Sequence, residues 1–445
     1  MTALRLLVLT PEFPPTSGGG IVSFYRHLLP EYLRLGAQVS VLVGSAYHQP
    51  GGRWRHDGVD AVGLEPAAYA EQLPRFAHLA AAPEVMRHLA ASYALRAAAR
   101  SLGEFDLVEA SDWGLLGAAW ALEGEPLPCV VQAHGSAGQI AANDPRPGAI
   151  VFESWLREVE RRLLGRAAAV HCYAPANREY WSSRIATPVQ YLPPAQPIAP
   201  APALAQDRET GYLVLARVQR WKGPAVLAEA LGLAKTAAPV RWIGRVVEDP
   251  QSPGTDMLSS LRRRYPEQWG GRIRHEATLP WDRVQSELQR AGALIVPSDW
   301  DVLNFTLVEA MAGGCPVIAS TGAGASHLIE DGRNGLCFAA GDARALGGAL
   351  ARFEALTGKQ RVALGEAGRE TVKGQLDPVR VAERHLAALR EVAARPTPHV
   401  ASDDLLEALR PRAGQPGTWT FLSQFPARAL GREILRRARQ RVLGK

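Results

Sequence analysis

Apolar residues along the first half of the chain come in two alternating rhythms. Short runs rich in Val, Leu and Ile at 5–10, 38–43, 106–110, 129–134, 168–173 and 189–192 predict strands buried on both faces. Longer segments at 21–35, 84–102 and 152–164 predict helices between them, with Pro30 set to kink the first. Continuous apolar strands separated by helices imply a parallel sheet with helices on both faces. The stretch PPAQPIAPAPALAQDRE at 193–209 then breaks all periodicity and reads as an interdomain linker. After it the rhythm restarts: strands in GYLVLAR, VRWIGR, GRIRHEA, ALIVPS and CPVIAS, helices at 224–233, around 258–265 and at 281–291. The expectation is two doubly wound α/β domains, at 1–195 and 196–390. A second proline-bearing break, ARPTPH at 394–399, sets off a tail at 391–445.

Length and composition fit this picture. A chain of 445 residues that is 47% hydrophobic is long enough for two cores. No apolar run reaches the roughly 18 residues of a membrane-spanning helix. The N-terminal MTALRLLVLTPEFPP has too short an apolar run for a signal peptide and reads as a first strand, so a cytoplasmic protein is expected. Cys129, Cys172, Cys315 and Cys337 are scattered among apolar runs, with neither metal-ligand nor disulfide spacing. The formal net charge of +6 is confined to the tail: from 426 to 445 seven basic residues stand against Glu433 alone. A basic tail on a balanced body argues against a nucleic-acid-binding body. Leu430, Ile434, Ala438 and Val442 recur every fourth residue in that tail. The segment 428–445 therefore reads as a basic amphipathic helix, suited either to an anionic membrane surface or to packing back on the N-terminal domain.

In open parallel sheets ligands bind beyond the carboxyl ends of strands, so the residues there are the candidates. After the first strand comes TSGGGIVSF, whose Gly19 and Gly20 let backbone approach a ligand, with a plain glycine turn as the alternative. The spacing fits neither a dinucleotide fingerprint nor a P-loop. His134-Gly135 ends another strand, where the histidine is either a cleft residue or structural. In ARVQRWKGPAVL, Arg217 and Lys222 flank a loop that leads to Pro224 at a helix start, an arrangement suited to phosphate. Finally, PSDWDVLNFTLVEAMAGGCPVIAS runs strand, loop and helix. Glu309 in the first turns of that helix suits a vicinal diol, or else serves the helix dipole. Asp301 on the loop faces the same site, or else forms a turn or N-cap.

As an ordered set, PEFPPTSGGG, His134-Gly135, ARVQRWKG, the PSDWDVLN stretch and DGRNGLCF resemble the retaining glycosyltransferases of family four over roughly 4–350. That resemblance implies a GT-B fold, two Rossmann-like domains facing across a cleft, with the C-terminal helix crossing back to the N-terminal one. It implies a nucleotide-sugar donor on the C-terminal domain and a glycan or lipid-linked acceptor on the other, in cell-envelope or polysaccharide synthesis. Glu309 would hold ribose hydroxyls, and Arg217 with Lys222 the diphosphate. Amides around Asn304, Phe305, Thr306 and Leu307 would share the phosphate charge, so neither a metal nor a cofactor is expected. Asp301 and His134 would contact the transferring sugar, and Gly19 with Gly20 the donor phosphate and acceptor. The sequence departs from the family where Asp301 replaces a glutamate and Val302-Leu303-Asn304 follows it. Pro194-Ala195-Gln196-Pro197 stands for an Asn-Gly-Val-Asp turn, and Ala277 for a glycine. A nucleotide-sugar epimerase on the same fold, or a non-catalytic nucleotide-sugar-binding protein, are the alternatives.

Overall fold

The computed structural model describes residues 3–15, 19–80, 82–124, 126–145, 150–198, 208, 211–233, 238–395 and 403–412, with Gly431 and Leu435. Most of the 193–209 linker and of the basic tail thus lies outside the described residues. Contacts divide the chain into two compact units, 1–173 with 177–192 and 381–445, and 174–176 with 193–380. The chain therefore returns to the first unit at Val381, partway along the helix Pro378–Ala393.

Among the described residues the first unit holds eight strands: β1 (Arg5–Thr10), β2 (Gln38–Val43), β3 (Arg53–His56), β4 (Val59–Gly63), β5 (Leu107–Ser111), β6 (Cys129–Ala133), β7 (Ala169–Cys172) and β8 (Val189–Tyr191). They lie in the order β3-β4-β2-β1-β5-β6-β7-β8, all parallel except β3, which is antiparallel to β4. The helix Gly20–Arg34 runs through Pro30. Strands β1, β5 and β6 are buried along nearly their whole length because both faces are covered, which is why they read as unbroken apolar runs.

The second unit holds β9 (Tyr212–Leu215), β10 (Val240–Ile243), β11 (Ile273–Glu276), β12 (Ala293–Val296), β13 (Val317–Ser320) and β14 (Leu336–Phe338). Their order is β11-β10-β9-β12-β13-β14, all parallel. The chain leaves β9 toward β10 on one side and later returns to place β12 on the other. The β9/β12 boundary is thus the point at which strand order reverses, the place where open parallel sheets bind ligands. Similarly, β1 lies between β2 and β5 in the first unit. Both predicted doubly wound sheets are present.

Candidate active site

In the second unit, the loop after β9 lies against the end of β12. Gly223 has φ +74°, and a Cβ there would lie 1.8 Å from the Pro297 carbonyl oxygen, so only glycine permits the approach. The Asp299 N–H donates to the Trp221 carbonyl at 2.9 Å, and the rings of Trp221 and Trp300 stack with centroids 4.9 Å apart. This seam joins residues that the sequence separates by 79 positions: the Lys222 ammonium forms an ion pair with the Asp301 carboxylate, each side chain 13% exposed. The ammonium also lies 4.6 Å from the centre of the Trp221 ring.

Asp301 is fixed from its other side by the loop after β13. Its N–H donates to Gly322 O at 2.8 Å, and its carbonyl accepts from Gly324 N at 3.1 Å. Asn304 Nδ2 donates to the Asp301 carboxylate at 3.1 Å, while Asn304 Oδ1 accepts from Leu307 N at 3.0 Å. The N-cap of the helix Phe305–Ala312 is therefore Asn304, not Asp301, and Asn304 reaches it with a left-handed φ of 74°. The cap engages the Leu307 N–H, one of the amides to which the family resemblance assigns phosphate. Phe305 and Leu307 bury their side chains, and Thr306 is half-buried. Glu309, one turn further on, is only 5% exposed, whereas Arg217 stands exposed beyond β9. The structure thus brings Lys222, Asp301 and Asn304 into direct contact, with Glu309 on the helix that Asn304 caps.

In the first unit, Gly19 is the N-cap of the helix Gly20–Arg34, and a Cβ there would meet nothing within 4 Å. No packing among the described residues requires glycine at that position. His134 is 9% exposed, its ring centred 5.1 Å from Phe24, 5.4 Å from Tyr173 and 5.5 Å from Tyr25. Burial lowers its pKa to about 3, so the imidazole is neutral, and neither ring nitrogen has a hydrogen-bond partner among the described residues. His134 is thus uncharged near neutral pH.

Two carboxyl groups that the sequence reading missed hold the His134 loop. Asp112, directly past β5, accepts from His134 N at 2.9 Å and from Gly135 N at 3.2 Å. Glu160, on the helix Ile150–Leu164, accepts from Ser136 Oγ at 2.7 Å and from Gly138 N at 3.0 Å. The strand-end rule that selected His134 also applies to Asp112; Glu160, in mid-helix, carried no such signal. Burial pushes Asp112 up to about 7 and Glu160 up to about 8, against the opposing pull of these donors. A carboxyl whose pKa is raised by folding keeps its proton in the native state where the unfolded chain has lost it. Stability therefore falls as pH rises from the ordinary carboxyl range, about 4, toward 8. Glu160→Gln, which does not titrate, is expected to flatten that decline, read as urea midpoints between pH 5 and 8. An unchanged slope would remove Glu160 from the account.

Among the described residues, no three His, Cys, Asp or Glu side chains are placed to share a metal ion. Residues 198–371 match the model for glycosyl transferases group 1, and residues 19–195 match that for a glycosyl transferase 4-like domain. The chain belongs to the group 1 glycosyltransferases. These matches are consistent with family four, and the GT-B architecture rests on the two sheets and on solved structures. A sucrose synthase from Acidithiobacillus caldus is 29% identical over 208 residues, 43% of this chain and 25% of that protein. The colanic acid biosynthesis glycosyltransferase WcaL of Escherichia coli, a putative assignment in its own description, is 31% identical over 116 residues, 25% of this chain and 28% of that protein. The chain spans about a quarter to a third of the length of the curated relatives it matches. Among solved structures, a sucrose-phosphate synthase from Thermosynechococcus elongatus superposes with a TM-score of 0.70 at 18% identity, covering 88% of this chain and 99% of that one. At that identity the likeness concerns the fold. No helix among the described residues is long and apolar enough to cross a membrane.

Proposed function

We propose that this group 1 glycosyltransferase transfers a sugar from a nucleotide-sugar donor to a glycan or lipid-linked acceptor, with retention at the anomeric carbon. The observation that carries the reading is the Lys222–Asp301 ion pair at the strand-order reversal, beside a helix bearing the buried Glu309. A cation at that point stabilises the diphosphate as it departs, with Arg217 as its second partner and no metal needed. Glu309 receives the ribose hydroxyls. Asp301, held by Lys222 and Asn304 in the free protein, turns to the transferring sugar when phosphate takes over the ammonium. The uncharged His134 bonds a sugar hydroxyl. Retention follows from attack on the face that the leaving group vacates: the acceptor oxygen bonds the anomeric carbon, the carbon–phosphate oxygen bond breaks, and the leaving phosphate takes the acceptor proton. An envelope or polysaccharide acceptor agrees with the description of WcaL.

The test is a panel of UDP-, GDP- and ADP-sugars assayed for thermal stabilisation and slow hydrolysis, with product anomers read by NMR. Stabilisation and turnover by one nucleotide class, giving the donor's anomer first, is the expected result. Stabilisation with no turnover of any sugar would point to a binding protein, and an inverted anomer would overturn retention.

A further inference from the structure

A second cluster stands at the strand carboxyl ends of the first unit, outside the groups used so far. Tyr47, at the tip of the turn after β2, leaves 53% of its surface exposed. That turn is pinned: Ser45 N donates to His48 O at 2.8 Å, Tyr47 N to Ser45 Oγ at 3.2 Å, and Gln49 Nε2 to Ser45 O at 2.6 Å. The Tyr47 ring meets the buried His88 edge-on at 5.6 Å and lies 6.4 Å from the half-buried Trp113, inclined to it at 56°. Trp113 in turn lies 6.1 Å from His88. The loop carrying Trp113 places Leu115 at φ +56°, a conformation that costs a branched side chain energy and marks functional loops. Glu84 and Arg87, both exposed on the helix Pro83–Ala99, act on the Tyr47 hydroxyl.

One exposed aromatic is ordinary on a protein surface. Here two rings meet in a corner, backed by a buried histidine and rimmed by a carboxylate and a guanidinium. That composition suits a pyranose. The sugar's apolar face presents C–H groups, positive at hydrogen, to the negative face of an aromatic ring, and its hydroxyls suit planar bidentate partners. Trp113 also directly follows Asp112, the residue that fixes the His134 loop.

We propose that Tyr47 and Trp113 form a stacking platform for a pyranose ring of the acceptor, with Glu84 and Arg87 bonding its hydroxyls. The proposal rests on the reading of the chain as a transferase with a glycan acceptor. The test uses gluco-, manno- and galacto-oligosaccharides as probes with the full chain, no donor present, followed by calorimetry and by tryptophan fluorescence. At least one oligosaccharide is expected to bind. Tyr47→Ala and Trp113→Ala should each weaken it about threefold to tenfold, the span of a single aromatic contact. Trp113→Phe should restore most of the loss, and all variants should retain thermal stabilisation by the nucleoside diphosphate. Equal binding by wild type and both alanine variants would overturn the platform, as would no binding of any oligosaccharide. Because binding is read without donor, glycan binding in a protein that turns over no nucleotide-sugar would sink the transferase reading and leave the platform standing.

Discussion

Lys222→Ala is expected to lower turnover about 10²- to 10³-fold, the effect of deleting one preorganised group that meets developing charge. Donor affinity should fall far less, because the diphosphate gains negative charge on the departing oxygen only as the glycosidic bond breaks. The ion pair complicates a single substitution. Removing the ammonium leaves the 13%-exposed Asp301 carboxylate with Asn304 as its remaining contact in this cluster. Breaking a buried pair from one side destabilises by about 3–5 kcal/mol where burial is complete, so some loss of folded protein is expected as well. Lys222→Ala combined with Asp301→Asn separates the two effects. The double variant should regain thermal stability, since no charge is stranded, but not turnover, since both the cation for the phosphate and the carboxylate for the sugar are gone. Near wild-type turnover in either variant, measured per folded molecule, would remove Lys222 from the leaving-group role.

Much of the architecture was legible because strands in doubly covered sheets carry no polar alternation. β1, β2 and the helix Pro224–Leu233 fall where the apolar runs begin and end. The antiparallel pair β3 and β4 was not foreseen, because RWRH and VDAVG at the sheet edge alternate more and less exposed positions and form no apolar run. β14, three residues long, was too short to carry a pattern. The strand-end rule selected the candidate residues of the second unit one loop at a time. It could not show that Lys222 and Asp301 pair, since that contact depends on which strands become neighbours, and on Gly223 admitting the Pro297 carbonyl. For a related reason Asp301 does not take the alternative role of N-cap. Asp301 is drawn away by Lys222 and by the chain beyond β13, which leaves Asn304, tolerant of a left-handed backbone, to close the helix.

Glu309→Ala carries the second large effect, on binding rather than chemistry. A carboxylate that accepts from two ribose hydroxyls makes charge-assisted hydrogen bonds worth about 1.5–3 kcal/mol each at most. Losing the pair should weaken nucleoside diphosphate binding about 10²- to 10⁴-fold in calorimetry. Loss of affinity alone does not identify the ribose, since Glu309 is 5% exposed on a helix next to the Lys222 cluster, and a truncation there disturbs packing as well. A cycle with 2′,3′-dideoxy nucleotide resolves this. Wild type should lose affinity for the dideoxy ligand by about the same factor as the variant loses for the natural one. The variant, having no carboxylate to offer, should bind both nucleotides alike. Glu309→Gln, with one good acceptor left, should fall between. If dideoxy substitution weakened wild type and Glu309→Ala equally, the carboxylate would not be what the ribose touches.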